Sequence, residues 1–163
     1  MVSFLIFLTL IYFAVHFRTS IYLLRQAGGQ LKILLESKPL TYHEKLSPRA
    51  YSNLMLLDSL KRFSVDSLGY EETDNYSKIY NHGPEPVLWV VTASKPFSLE
   101  AKYWSFPIVG KVSYKGYFDK ELAASEFDAL REEGLDVEIS PVTAYSTLGW
   151  FSDPVFSGML ERS

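Results

Sequence analysis

The chain has 163 residues, 47% of them hydrophobic, with sixteen basic and nineteen acidic side chains and a net charge of −3. That length suits one domain with one modest core, and the absence of a long basic run argues against nucleic-acid binding. With no cysteine, disulfides, thiolate metal ligands, a cysteine nucleophile and a lipidated N-terminal cysteine are excluded.

The N-terminus comes first in chain order. Val2 to Phe17 contains no charged residue and is dominated by large apolar side chains such as Phe4, Leu5, Ile6, Phe7, Leu8 and Leu10. As a helix this run spans roughly 24 Å, and continuing through Ile21-Tyr22-Leu23-Leu24 makes it long enough for a hydrocarbon core of about 30 Å. Arg18 then lies near an interface, where it can reach water. The expectation is a membrane anchor over residues 1–24 and a second unit over 25–163. The rivals are a cleaved signal peptide, which lacks its basic n-region and a good cleavage site here, and a buried core helix. Arg18, Arg25, Lys32 and Lys38 all follow the apolar run, which by the positive-inside rule favours a cytoplasmic domain.

Ser20 is read as the N-cap of a helix running to about Glu36 and stopped by Pro39. Gly28-Gly29 interrupts its stripe, read as a close packing point in preference to a hinge. A second helix is better signalled: Ser47 as N-cap, Pro48 at the first helical position, and Gly69 past the end. Residues 69–86, rich in Gly, Asn, Asp, Ser and Pro, read as a loop.

From Val87 the period changes. Val87 to Ala93 is a continuous β-branched and aromatic run, expected to be a central strand buried on both faces. Tyr103 to Val109 and Lys111 to Phe118 read as two more strands, divided near Gly110. Asp119 caps a helix over Lys120–Glu133, with Leu122, Ala123, Phe127 and Leu130 on one face and Gly134 at its end. Asp136 to Ser140 alternates as a strand does. The resulting fold class is α+β: helices packed on a small mixed or antiparallel sheet behind an N-terminal membrane helix.

The chemistry is sparse. The histidines are His16, His43 and His82. His43-Glu44 opens like the zinc motif H-E-x-x-H, but Ser47 stands where the second imidazole belongs. His82 reads as an exposed loop residue. No G-x-S-x-G elbow, P-loop or G-x-G-x-x-G occurs. The segment Ala144-Tyr145-Ser146-Thr147-Leu148-Gly149-Trp150-Phe151-Ser152-Asp153-Pro154 mixes hydroxyls, Gly and large aromatics. One reading is a cleft wall offering hydrogen bonds to a peptide. The other is a turn pinned into the core by Trp150 and Phe151. Asp153-Pro154 reads as a helix start.

Several segments, in order, resemble a bacterial family of predicted aminopeptidases. They are Tyr22-Leu23-Leu24-Arg25-Gln26-Ala27-Gly28-Gly29-Gln30-Leu31, Phe106-Pro107-Ile108-Val109-Gly110, Tyr114-Lys115-Gly116-Tyr117-Phe118-Asp119, Asp136-Val137, and the 144–154 segment, the most specific of them. The resemblance covers roughly residues 20–160. It implies a zincin-like metallopeptidase in which a helix carrying H-E-x-x-H and a later Glu hold zinc, the motif Glu activating water.

The family's zinc helix is expected beyond Met159-Leu160, so the chain reads as an N-terminal fragment with no catalytic and no metal-binding residue of its own. On this reading the chain binds no cofactor, the zinc belonging to the intact family member. The resemblance makes Tyr117, Asp119, Tyr145, Ser146, Thr147, Gly149 and Trp150 candidates for the substrate cleft. It further implies a peptide substrate and attachment to the bacterial inner membrane through residues 2–24, with the domain leaning to the periplasmic side because long domains translocate despite flanking charges. The alternative is a non-catalytic membrane protein that kept the scaffold and binds peptides or a partner.

Overall fold

The computed structural model describes residues 17–41, 46–106 and 109–161. Most of the expected anchor, together with His16 and His43, lies outside them. Among the described residues no helix is long and apolar enough to cross a membrane.

The first described helix, α1, spans Phe17–Glu36. It already runs through Ser20, which is buried inside it, so Ser20 is not the N-cap that the local sequence suggested. A small polar residue caps only where the backbone leaves helical geometry, and here it stays helical. Two residues after α1 a short strand, β1 (Lys38–Pro39), begins. Helix α2 (Pro48–Asp66) starts as the sequence predicts: the Ser47 hydroxyl accepts a hydrogen bond from the Ala50 N–H at 3.1 Å, with Pro48 at the first position. Gly69 follows with φ +72°, a left-handed conformation that glycine adopts without a Cβ penalty.

The expected loop 69–86 contains a strand, β2 (Lys78–Tyr80). It pairs antiparallel with β1 and parallel with β8 (Val155–Phe156), Ile79 facing Val155. Asp153-Pro154 therefore leads into a strand, and the last helix, α4 (Ser157–Glu161), begins three residues later than Pro154. Strands this short carry no readable period; their partners lie far off in the chain.

The second sheet is antiparallel. Its middle strand is β3 (Leu88–Ser94), flanked by β6 (Lys115–Tyr117) and β7 (Asp136–Val142). β3 is central as predicted but not buried on both faces: Val91 is fully buried while Thr92 is exposed. The expected strand over 111–118 is divided, because β5 (Gly110–Val112) turns back on β4 (Trp104–Phe106) as a separate hairpin. Helix α3 (Lys120–Glu132) covers one face of the antiparallel sheet. The Asp119 carboxylate caps it through the Glu121 and Leu122 N–H groups, and Gly134 closes it at φ +79°.

Three apolar clusters tie these elements together. Ala50, Leu54, Ile79, Val155 and Leu160 join α2 to the mixed sheet and α4. Val91, Ala93, Tyr117, Ala123 and Leu130 join α3 to the antiparallel sheet. Ile33, Tyr80, Val87 and Phe156 seat α1 where the two sheets meet. Gly29 explains how close that seat is: a Cβ there would fall 2.1 Å from a ring carbon of Phe118. The glycine pair is thus a packing point, made by Gly29 alone, since Gly28 faces open space.

Candidate functional site

The candidate residues fall into two groups. Tyr117 and Asp119 lie on the wall of a cavity of about 760 Å³ between α1 and α3, which Arg18, Tyr22, Arg25 and Glu126 also line. Its floor is a network. Glu126 accepts from the Lys115 ammonium at 3.0 Å and from the Trp104 indole N–H at 3.0 Å. Lys115 stands 4.9 Å above the Tyr22 ring and 5.4 Å above the Tyr117 ring, a placement that favours a cation over aromatic faces. The Tyr22 hydroxyl donates to the Gly116 carbonyl at 3.0 Å. Burial works to raise the Glu126 carboxyl, but the Lys115 ammonium, the Trp104 N–H and the Tyr117 hydroxyl outweigh it and hold the group below its ordinary value. Burial, and then the neighbouring Glu126 charge, push the Tyr117 phenol far up, so it stays protonated. Asp119 is occupied by its two capping bonds.

The second group, Tyr145 to Trp150, belongs to a loop organised by one buried carboxylate, Asp153. Asp153 Oδ2 accepts from the Ser146 hydroxyl at 2.7 Å; Oδ1 accepts from the Thr147 hydroxyl at 2.6 Å and from the Thr147 N–H at 2.9 Å. The Asp153 N–H donates to the Asn75 side-chain carbonyl at 2.8 Å, and the Asp153 carbonyl accepts from the Tyr76 N–H at 2.7 Å. Ser146 and Thr147 also accept from the N–H groups of Leu148 and Phe151. Their hydroxyls therefore hold the loop's shape.

This carboxylate, and not the aromatics, pins the loop. Trp150 is 65% exposed and Leu148 79%, with Phe151 also exposed, so the reading in which Trp150 and Phe151 anchor a turn in the core is overturned. Leu148 and Gly149 both take left-handed backbone conformations, φ 56° and 83°, which turn the tip outward. Tyr145 points the other way. Its hydroxyl donates to the Gln30 side-chain carbonyl of α1, and its ring meets Phe118 edge-on at 6.1 Å. Phe118 also lines the large cavity, so the two groups meet at that ring. Burial foremost, with Asp153 adding, raises the Tyr145 phenol.

The profile of a family described as "Putative aminopeptidase" matches residues 21–163. The chain belongs to that family. No curated protein and no solved structure is significantly similar to it. The family match begins within α1 and takes in both three-stranded sheets, so the expected anchor over residues 1–24 mostly precedes it.

A catalytic zinc in such an aminopeptidase would need about three protein ligands and an open position. Among the described residues no three His, Cys, Asp or Glu side chains come together in a way that could hold a metal ion. His82, expected to be an exposed loop residue, is instead half-buried with both ring nitrogens occupied. Nε2 accepts from the Gly158 N–H at 3.1 Å, which leaves the proton on Nδ1, donating to the Glu85 carbonyl at 2.5 Å. It caps α4 from a residue 76 positions away in the chain. The described residues do not fit a catalytic zinc site. His82 carries no local sequence signal, because its partner Gly158 lies 76 positions away; the Asp153 hub joins nearby Ser146 and Thr147 to Asn75, 78 positions away.

Proposed function

We propose that the chain forms the substrate-side part of a membrane-anchored zinc aminopeptidase, with the loop around Asp153 bordering the peptide cleft and the metal ligands carried on other polypeptide. The observation that carries this reading is the family match across residues 21–163. The built loop supports it. Asp153 fixes Ser146 and Thr147, Gly149 leaves backbone open at the tip, and Trp150 offers a large apolar face beside polar groups. Tyr117 and Asp119 form the second wall, joined to the first through Phe118 and Tyr145. The role of these residues is to bind and orient a peptide; the sequence supplies no H-E-x-x-H, so no step of bond cleavage is assigned to them.

The donor set favours a second reading, a non-catalytic membrane-anchored protein that binds peptides or a partner through the same loop. The experiment that separates the two joins this chain to the polypeptide encoded immediately downstream and assays amino-acid anilides. Chelator-sensitive turnover by the joined protein, with no turnover and no retained zinc in the chain alone, supports the peptidase. Peptide binding that changes tryptophan fluorescence in the natural chain but not in Trp150→Phe, with no turnover in either protein and no H-E-x-x-H encoded downstream, supports the second. Stoichiometric zinc and turnover in the chain alone would overturn the assignment of the ligands to other polypeptide.

A further inference from the structure

Helix α1 is inverted relative to a helix of a water-soluble domain. Its inward face reaches the core through Tyr22, Gly29 and Ile33, with Gln30 bonded to the Tyr145 hydroxyl. Its outward face is the apolar one: Phe17, Leu24, Leu31 and Leu35 are 63, 65, 55 and 72% exposed. Steps of seven residues drift by only about 20° around a helix, and Leu35 lies about five whole turns from Phe17, so these four form one stripe along the full helix. Arg18, Arg25 and Lys32 follow the same seven-residue spacing one position later, and none forms an ion pair among the described residues. The sequence has no acidic residue before Glu36.

We infer that α1 lies along the surface of an anionic lipid bilayer, its apolar stripe at the boundary between headgroups and acyl chains and its row of cations among the phosphates. The inference rests on the reading of the preceding apolar run as a membrane anchor and deepens it. On this inference the apolar stripe of α1 lies on the membrane without crossing it. Two observations choose a bilayer over another protein as the occupant. The stripe continues directly from the apolar run Val2–Phe17, which delivers it to the lipid surface. The flanking charge is of one sign, complementary to anionic headgroups. Leu34 and Phe151 line one small cavity of about 180 Å³, so the end of the Asp153 loop packs beside α1.

The chain contains no cysteine, so single substitutions give single nitroxide labels. The full chain would be labelled at Leu31→Cys and Leu35→Cys on the stripe, at Leu8→Cys in the apolar run and at Glu132→Cys, exposed on α3. It would then be placed in vesicles of phosphatidylcholine with phosphatidylglycerol. The ratio of oxygen to nickel-chelate accessibility is expected to be several-fold higher at positions 8, 31 and 35 than at 132. Replacing phosphatidylglycerol by phosphatidylcholine should lower it at 31 and 35 and leave 8 unchanged. Water-like values at 31 and 35 with a lipid-like value at 8 would overturn the inference and leave the anchor standing. Water-like values at all three would remove the anchor too. Shielding of 31 and 35 from both reagents would assign the face to protein, a second copy or further polypeptide, and overturn the inference.

Discussion

Helices α1 and α3 face each other across one cavity and are built on opposite rules. α3 follows those of a soluble domain. It has a carboxylate N-cap, a glycine past its end, Ala123 and Leu130 buried against the sheet, and an outer surface of Lys120, Glu121, Asp128, Arg131 and Glu132. α1 buries one large aliphatic side chain, Ile33, and turns five large apolar residues outward, four of them in one stripe. Local propensity and water alone account for α3. α1 is held by particular contacts, with Phe118, Gly116 and Tyr145, and it leaves an apolar stripe facing outward.

The contrast can be broken most sharply by truncating one leucine on each helix. Leu130→Ala on α3 removes a 2%-exposed side chain and should cost about 3 kcal/mol in urea unfolding. Leu31→Ala on α1 should change stability by less than about 0.5 kcal/mol. Comparable losses would mean that the outer face of α1 is covered within the folded chain.

Next in size is Gly29→Ala. In an exposed helix this exchange gains about 1 kcal/mol. Here the new methyl meets the Phe118 ring, and the expected result is a net loss of about 2 kcal/mol as the aromatic ring or the helix shifts. The same exchange at Gly28, which faces open space, should stabilise. Equal effects at the two positions would refute the close approach of α1.

Glu126→Gln tests the floor between the helices. It should cost about 2 kcal/mol at neutral pH, since two charge-assisted or buried hydrogen bonds lose their anion. Because the folded-state carboxyl sits below its ordinary value, its contribution is complete above the unfolded value of about 4.3. It is lost as pH falls through the lower folded value. Unfolding midpoints between pH 7 and pH 3 should therefore fall more in the natural chain than in the variant over the acid end. Parallel profiles would show that Glu126 is not held as an anion.

The smallest effect expected is at the cap. Asp119→Ala should cost about 1 kcal/mol and act on α3 without moving the α1 contacts, which faster amide hydrogen exchange in the first turn of α3 together with unchanged exchange along α1 would report.

What the sequence made legible follows the same division. Ser47-Pro48, Asp119 and Gly134 announced α2 and α3 because a cap is a local bond between neighbours in the chain. Val87 to Ala93 announced the central strand through its β-branched run. Ser20 misled because the helix had already begun before it. The strands β1, β2 and β8 went unread, since two or three residues define no period and their pairing joins positions about 40 residues apart for β1 with β2 and about 75 for β2 with β8. The sequence could mark the 144–154 segment as unusual without revealing that its aromatics face outward, because the contacts that seat Asp153 against the rest of the fold come from Asn75 and Tyr76, far back in the chain.

The parallel pairing of β2 with β8 has a consequence for how the chain is made. The cluster beneath α2 is closed by Val155 and Leu160, so the helix keeps an open apolar side until residues 155–160 have been made. Non-local closure of this kind is slow, and a half-finished chain with an uncovered face is prone to wrong associations.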